Sequence, residues 1–133
     1  MMDKRELVKM AIEAREQAYT PYSNFCVGAA LETAEGKVYK GCNIENAAYG
    51  PTNCAERTAF FKAVSEGERA FTQIAIVGAP KDKAISEFCA PCGVCRQVMS
   101  EFCDGATFMI HLYDGKEIRS YTLAELLPLS FSL

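Results

Sequence analysis

Three cysteines and one glutamate have the residue types and spacing of a catalytic metal site. The chain reads C-A-E at residues 54–56 and P-C-G-V-C at residues 91–95. Thiolates from Cys54, Cys92 and Cys95 can hold a zinc ion and leave its fourth tetrahedral position open to water, whereas a structural zinc has all four positions filled by Cys or His. A carboxylate two residues from one ligand can move protons for that water. The pattern therefore predicts a catalytic zinc site with Glu56 as its acid and base.

Other interpretations of the cysteines stay open at this point. The pair Cys92 and Cys95 also fits a redox C-x-x-C motif or two packing residues. With Cys89 it forms a C-x-x-C-x-x-C run that is reminiscent of iron–sulfur ligation, but the closing Cys-Pro is absent. The remaining cysteines and the single histidine are expected to be structural residues of the core or loops: Cys26, Cys42, Cys89, Cys103 and His111.

The elements that must position this site are two helices, predicted over residues 54–66 and 92–102. Both metal-bearing segments then fall at helix N-termini, where unpaired N–H groups and the helix dipole favour thiolates. The two cysteines of the second segment are three residues apart, and side chains at that spacing are neighbours on a helix. Around the first turn of the other helix, Cys54 and Glu56 can both reach a point just beyond the helix end.

Arg57 follows this site directly and is the expected counter-charge. Three thiolates overbalance a zinc dication, which makes a bound water harder to deprotonate. Arg57, three residues beyond Cys54, is placed to donate hydrogen bonds to a ligand sulfur. The alternative is a solvated charge on the helix surface.

Apolar periodicity and turn residues predict the rest of the architecture. Before the helix at 54–66 we expect another helix and a β-hairpin. Between the helices at 54–66 and 92–102 we expect a strand covered on both faces. After the helix at 92–102 we expect a further strand and a short final helix that opens with a capping box. The order after the first helix is thus β-β-α-β-α-β. The predicted ranges outside the two zinc helices are 3–18 for the first helix, 25–33, 37–44, 71–77 and 107–113 for the strands, and 122 onward for the last helix.

Composition limits the setting of this chemistry. The 133 residues, 50% of them hydrophobic, suit a single domain over residues 1–133. A net charge of -3 disfavours a nucleic-acid partner, so a small-molecule substrate fits better. The first six residues, M-M-D-K-R-E, are charged where a secretory leader is apolar, and no run reaches the ~20 apolar residues that span a bilayer. We therefore expect a cytoplasmic protein with no membrane partner, and seven cysteines that stay reduced.

Several longer motifs closely resemble the small homotetrameric cytidine deaminases. The C-A-E and P-C-x-x-C segments fit the zinc-deaminase signature in its all-cysteine variant. The resemblance spans nearly the whole chain and rests on PYSNFCVGAA at 21–30, GCNIENAAYG at 41–50, NCAERTA at 53–59, CRQV at 95–98 and LLPLSF at 126–131.

This resemblance implies the fold, the reaction and the assembly. The implied fold is an α/β/α sandwich with a central mixed sheet. The implied reaction is the hydrolytic deamination of cytidine and 2'-deoxycytidine in pyrimidine salvage, with one zinc ion per subunit and water attacking C4 of the base. Glu56 first carries a proton to N3 and then one to the departing amine. The implied assembly is a homotetramer with shared active sites.

The resemblance also implies a set of substrate contacts. Phe25 lies against the pyrimidine ring, the backbone N–H of Ala55 binds the base, and Phe131 reaches in from a neighbouring subunit. Asn43 and Glu45 hydrogen-bond the ribose 3'-hydroxyl, and two residues spaced in this way on a strand face the same side. Without the resemblance, the simplest interpretation of Asn43 and Glu45 is the polar end of a strand. For Phe131 it is a residue of a tail that packs on its own subunit.

Three competing functions stay open. A deaminase of the blasticidin S type shares the zinc motif and the small size, although Asn43 and Glu45 favour a ribose. A polynucleotide deaminase needs a surface for the strand, and this acidic chain has no basic run. A non-catalytic, zinc-stabilised binding domain would make Glu56 incidental.

Overall fold

The computed structural model describes the whole chain, residues 1–133, as five strands and four helices. One mixed sheet has the strand order β2-β1-β3-β4-β5, with β3 and β4 parallel and the other neighbours antiparallel. None of the helices is long and apolar enough to cross a membrane. The elements are α1 Lys4–Arg15, β1 Phe25–Thr33, β2 Val38–Cys42, α2 Ala55–Ser65, β3 Phe71–Pro80, α3 Gly93–Phe102, β4 Met109–Tyr113, β5 Ile118–Thr122 and α4 Leu123–Leu126.

The central strands are apolar on both faces, and this creates two separate cores. Successive side chains of a strand point to opposite faces, so along β3 Ile74 and Ile76 pack on one side and Ala75 and Val77 on the other. The first face packs against α2, α3 and α4, and the second against α1. The result is the three-layer α/β/α sandwich with a mixed central sheet that the family resemblance implied.

Two glycines let helices approach the sheet closely. A Cβ atom on Gly28 would lie 2.0 Å from the carbonyl oxygen of Ala11 in α1, and one on Gly41 would lie 2.3 Å from that of Ala55 in α2. No side chain fits at either position. The contact at Gly41 matters for function because it brings the N-terminal end of α2, which carries Cys54 and Glu56, directly against β2.

The predicted order β-β-α-β-α-β was wrong by one strand. The strand β5 reads I-R-S-Y-T and pairs with β4 at the edge of the sheet, where most of its side chains are only partly buried. An edge strand of this kind lacks the apolar run that marked β3. The tight turn before it contains Gly115, whose φ of 95° falls in the left-handed region.

Element ends also differ from the predicted ranges. The first helix was expected to reach residue 18 but ends at Arg15, and Asp3 caps it as predicted. The second strand was expected to reach residue 44 but ends at Cys42, with Ile44 continuing as isolated bridges to Tyr19 and Asn53. Helix ends fray and chain pairing beyond a strand is not local, so neither boundary is visible in the apolar pattern.

A buried polar network holds His111 in the sheet, and His111 is not part of the cluster of Cys54, Cys92 and Cys95. Its Nε2 lies 2.7 Å from Oε1 of Gln73 and its Nδ1 lies 2.7 Å from Oγ of Ser120. Gln73 in turn donates to the buried carboxylate of Glu32. Because Oε1 of Gln73 can only accept, Nε2 carries a proton. Burial lowers the pKa of His111 to about 4, with the charge of Lys4 adding to the effect.

Candidate zinc centre and substrate cavity

The two segments predicted to bind zinc, residues 54–56 and 91–95, lie at helix N-termini, as the sequence predicted. Cys54 is the N-cap residue of α2 and Cys92 is the N-cap residue of α3. Neither side chain makes a capping hydrogen bond, so both sulfurs remain free for another partner. Cys95 lies in the first turn of α3 and is buried. The packing of α2 against α3 brings the three sulfurs together.

The spacing of these sulfurs fits a tetrahedral zinc ion. Sγ of Cys92 lies 3.7 Å from Sγ of Cys54 and 3.5 Å from Sγ of Cys95, and all three lie within 4.8 Å of one another. Sulfurs at a Zn–S distance of ~2.3 Å around a tetrahedral ion are separated by about 3.8 Å. No other group of three His, Cys, Asp or Glu side chains is arranged in this way, and Cys89 is outside the cluster.

The cluster is poised to carry negative charge. Hydrogen bonds from the thiol of Cys95 and from the guanidinium of Arg57 lower the pKa of Cys54 to about 5. The contact with Cys54 and burial both raise the pKa of Cys95. The Nη2 atom of Arg57 lies 3.3 Å from Sγ of Cys54. Arg57 is therefore not a free surface charge, and it contacts the sulfur as the zinc hypothesis requires.

Glu56 is a buried carboxyl group beside this cluster. Only 4% of its surface is exposed, although it lies in the first turn of α2. Burial raises the pKa of Glu56 to about 7. A general acid and base is most effective when its pKa lies near the working pH. The environment thus suits a group that both takes and gives a proton at neutral pH.

One cavity of about 180 Å³ joins most of the predicted site. It brings Glu56 and the sulfurs of Cys54 and Cys92 together with the predicted sugar contacts and Ala55, the first residue of α2, whose N–H has no partner within the helix. Pockets for whole small-molecule ligands usually measure ~300–1,000 Å³, so this one suits a single ring. The lining residues are Val27, Asn43, Glu45, Thr52, Asn53, Cys54, Ala55, Glu56, Cys89, Ala90 and Cys92.

Asn43 and Glu45 line this cavity and also bind the backbone next to it, Asn43 at the start of β1 and Glu45 in the loop before β1. The side-chain amide of Asn43 accepts from the N–H of Val27 and donates to the carbonyl of Phe25, both at 2.9 Å. The carboxylate of Glu45 accepts from Ser23 and from the N–H of Tyr22. The two side chains were expected on a strand, and they instead flank the bridge residue beyond the end of β2.

The two predicted aromatic contacts do not line the cavity. Phe25 packs beside it, because a Cβ atom on Gly78 would lie 3.0 Å from its ring and 2.8 Å from Sγ of Cys89. Phe131 is 66% exposed near the end of the chain, where its carbonyl accepts a bond of 3.3 Å from Gln97. Within one chain, Phe131 takes no part in the cavity.

Sequence reasoning missed some residues of the site. Cys89 lies in the loop before α3, which agrees with its expected place in the core or a loop, but its position in the cavity wall was not predicted. Burial raises the pKa of its thiol to about 11. Thr52 and Asn53 also line the cavity. Cys89, Thr52 and Asn53 come together only because β1, α2 and the loop before α3 meet at this cavity. No local sequence pattern could have indicated this.

Comparison with known proteins agrees with this geometry. Residues 1–111 match the family model described as the cytidine and deoxycytidylate deaminase zinc-binding region. The chain belongs to this deaminase family. The matched region is the family's zinc-binding region, so the metal is zinc, and the three-cysteine cluster is the group of this chain that could hold it.

Individual deaminases match almost end to end. The cytidine deaminase of Sporosarcina psychrophila is 53% identical over 132 residues, which cover 98% of this chain and 93% of the relative. That of Halalkalibacterium halodurans is 52% identical over 134 residues, with 98% and 96% covered. The crystal structure of the Burkholderia pseudomallei cytidine deaminase superposes with a TM-score of 0.88 at 47% identity, over 98% of this chain and 100% of that chain. The fold and the family assignment therefore agree.

Proposed function

We propose that this protein catalyses the zinc-dependent hydrolysis of cytidine and 2'-deoxycytidine to uridine and 2'-deoxyuridine, with release of ammonia. The observation that carries the proposal is the position of Glu56, whose carboxyl group is buried. Glu56 lines the same cavity as Cys54 and Cys92 and as the polar pair Asn43 and Glu45. When bound to Cys54, Cys92 and Cys95, zinc supplies the Lewis acidity that makes water a nucleophile at neutral pH.

Glu56 performs the proton transfers of this reaction. It takes a proton from the water that attacks C4 and delivers it to N3 of the ring. It then moves the remaining hydroxyl proton to the exocyclic amine, which leaves as ammonia while the C4 carbonyl forms. A single carboxyl group can act as base and then as acid because its pKa of about 7 lies near the working pH.

The cavity and its rim divide the nucleoside into base and sugar. The ring occupies the inner cavity, where the N–H of Ala55 binds it and the ring of Phe25 flanks it. The ribose 3'-hydroxyl binds Asn43 and Glu45. This division is supported by a second hollow of about 400 Å³ that lies outside the cavity and shares Glu45 and Thr52 with it. The sugar then sits where the two hollows meet.

A homotetramer completes the site, with Phe131 entering the cavity of a neighbouring subunit. The support is an end segment that leaves apolar side chains in water, with Leu129 and Leu133 fully exposed and Phe131 66% exposed. Contiguous apolar exposure of this kind marks an interaction surface. Each subunit is one domain over residues 1–133. The seven free cysteines fit a reducing compartment, so we place the reaction in the cytoplasm and in pyrimidine salvage.

Ammonia release from four compounds tests the activity: cytidine, 2'-deoxycytidine, cytosine and blasticidin S. We expect turnover of the two nucleosides, and much slower turnover of cytosine because it lacks the sugar held at the rim. Faster turnover of blasticidin S would replace the nucleoside proposal. Release from none of the four by zinc-loaded protein would indicate a zinc-stabilised binding domain.

A further inference from the structure

The hydroxyl group of Ser23 connects the carboxylate of Glu45 to the backbone of Phe25. Its Oγ donates to Oε2 of Glu45 and accepts a hydrogen bond of 3.0 Å from the N–H of Phe25. Between them, Asn24 takes a left-handed conformation with φ of 59°, which turns the chain back toward Oγ. One small side chain therefore links a sugar contact of the proposed site to the residue proposed to flank the base.

The acceptor capacity of Glu45 is nearly used up by this loop. Its Oε1 accepts from the N–H groups of Tyr22 at 3.0 Å and Ser23 at 3.1 Å, which occupies both lone pairs. Its Oε2 accepts only from the hydroxyl of Ser23. One acceptor position is thus left on Oε2, and Ser23 determines the orientation of the oxygen that carries it. Hydrogen bonds from Ser23 and Tyr22 also lower the pKa of Glu45, so the group is ionised at neutral pH.

The location of this contact matches the boundary between base and sugar. Glu45 lines both the zinc cavity and the outer hollow, whereas Ser23 lines the outer hollow alone. Ser23 is therefore outside the space proposed for the reacting base. It borders the sugar side of the site, and because its hydroxyl donates to Oε2 of Glu45 we assign its effect on the substrate to that carboxylate.

We propose that Ser23 is a positioning residue that gives the enzyme its preference for a 3'-hydroxyl group. It holds the free acceptor of Glu45 in place for that hydroxyl. The inference rests on the proposed nucleoside deamination and assigns to Ser23 a role in the specificity of that reaction. Loss of the hydroxyl should leave the loop folded, because Asn43 binds the carbonyl of Phe25 and the N–H of Val27 independently.

Two substrates that differ only at the 3' position test this inference: 2'-deoxycytidine and 2',3'-dideoxycytidine. For Ser23→Ala we expect kcat/KM for 2'-deoxycytidine to fall about tenfold, mainly through a higher KM, as one oriented charge-assisted hydrogen bond is lost. The value for the dideoxy compound should stay within about twofold of wild type. Ser23→Thr keeps an Oγ and should restore most of the preference.

Control variants separate positioning from general damage. Ser65→Ala removes a hydroxyl that bonds only within α2 and should leave the preference unchanged. Glu45→Gln should lose the preference by itself, and adding Ser23→Ala to it should cost little more, because both changes act on the same contact. If Ser23→Ala is poorly folded, Ser23→Cys takes its place in the cycle, because it keeps the side-chain size but replaces the hydroxyl with a much weaker donor.

The outcomes distinguish this inference from the proposed function. If the wild type deaminates both compounds but Ser23→Ala slows them equally, or not at all, Ser23 has no role in 3'-hydroxyl recognition while the activity stands. If the wild type releases no ammonia from any nucleoside, the proposed function itself fails.

Discussion

The guanidinium group of Arg57 lies 3.3 Å from the sulfur of Cys54, on the first turn of the same helix. Three thiolates around a zinc dication leave one negative charge in excess, and this contact balances it. The Nε atom of Arg57 is buried without a hydrogen-bond partner. Leaving a buried donor unpaired costs free energy, and the contact of Nη2 with the sulfur offsets part of that cost.

Replacement of Arg57 by alanine should therefore lower activity more than zinc content. We expect kcat to fall by about 10- to 100-fold because the thiolates then donate more charge to the metal. Metal analysis and steady-state kinetics on the same preparation measure both effects. Arg69→Ala, which removes an exposed arginine that bonds only nearby carbonyls, is the matched control. Wild-type behaviour of Arg57→Ala in both assays would mean that its contact with the sulfur of Cys54 contributes nothing to catalysis.

The four cysteines in and beside the cavity should separate into three zinc ligands and one residue that does not bind the metal. Single Ser replacements of Cys54, Cys92 and Cys95 should each lose zinc, because three protein ligands are the minimum for a catalytic site. Cys89→Ser should keep one zinc per chain and retain activity. Metal analysis of the four purified variants provides the comparison. Zinc loss confined to the Cys89 variant would overturn the ligand assignment.

Glu56→Gln should keep the zinc and the fold but lose deamination by at least about a thousandfold, since one carboxyl group performs the successive proton transfers. The amide has nearly the same shape, so zinc content and the unfolding midpoint should match wild type. Glu101→Gln, an exposed position on α3, serves as the control. Near-normal turnover of cytidine by Glu56→Gln would remove this residue from the mechanism.

Acid should destabilise the fold through His111. Its pKa is about 4 in the folded protein and near 6.5 in the unfolded chain, so between these values only the unfolded state binds the proton. Its contribution to the free energy of unfolding is complete above pH ~6.5 and should fall by about 2.5 kcal/mol by pH ~4.5. Urea unfolding at several pH values measures how the free energy of unfolding changes with pH.

The comparison protein is His111→Gln, which cannot titrate in this range. It should show a shallower pH dependence than wild type, whatever its stability at neutral pH. Zinc loss at low pH affects both proteins alike and cancels in the difference. Parallel slopes would mean that His111 does not contribute to acid unfolding.

Mixing two inactive variants should reveal a shared active site. Glu56→Ala keeps an intact Phe131, and Phe131→Ala keeps an intact Glu56. If Phe131 acts in a neighbouring subunit, co-refolded hybrids should regain part of the activity that each parent lacks. Absence of recovery in demonstrated hybrid tetramers, with a clearly impaired Phe131→Ala parent, would assign the residue to its own subunit.

The residues that act locally could be read from the sequence. The helix starts at Cys54 and Cys92, the capping residue Asp3 and the two-sided burial of β3 depend on neighbours within a few positions of the chain, and all of them agree with the structure. The three-sulfur cluster followed from the spacing of its residues and from the resemblance of its motifs.

Only the tertiary structure decided how the rest of the site is built. The contacts that join Glu45, Ser23 and Phe25 and the thiol of Cys89 in the cavity wall depend on segments far apart in the chain. The strand β5 pairs across a tight turn, but its partly buried edge position gave it no apolar pattern to read. Periodicity reports which side of an element is apolar, whereas a cavity is formed by the side chains that several elements leave around one space. The sequence therefore determined the chemistry of the zinc centre, and the packing of sheet, helices and loops determined the space around it.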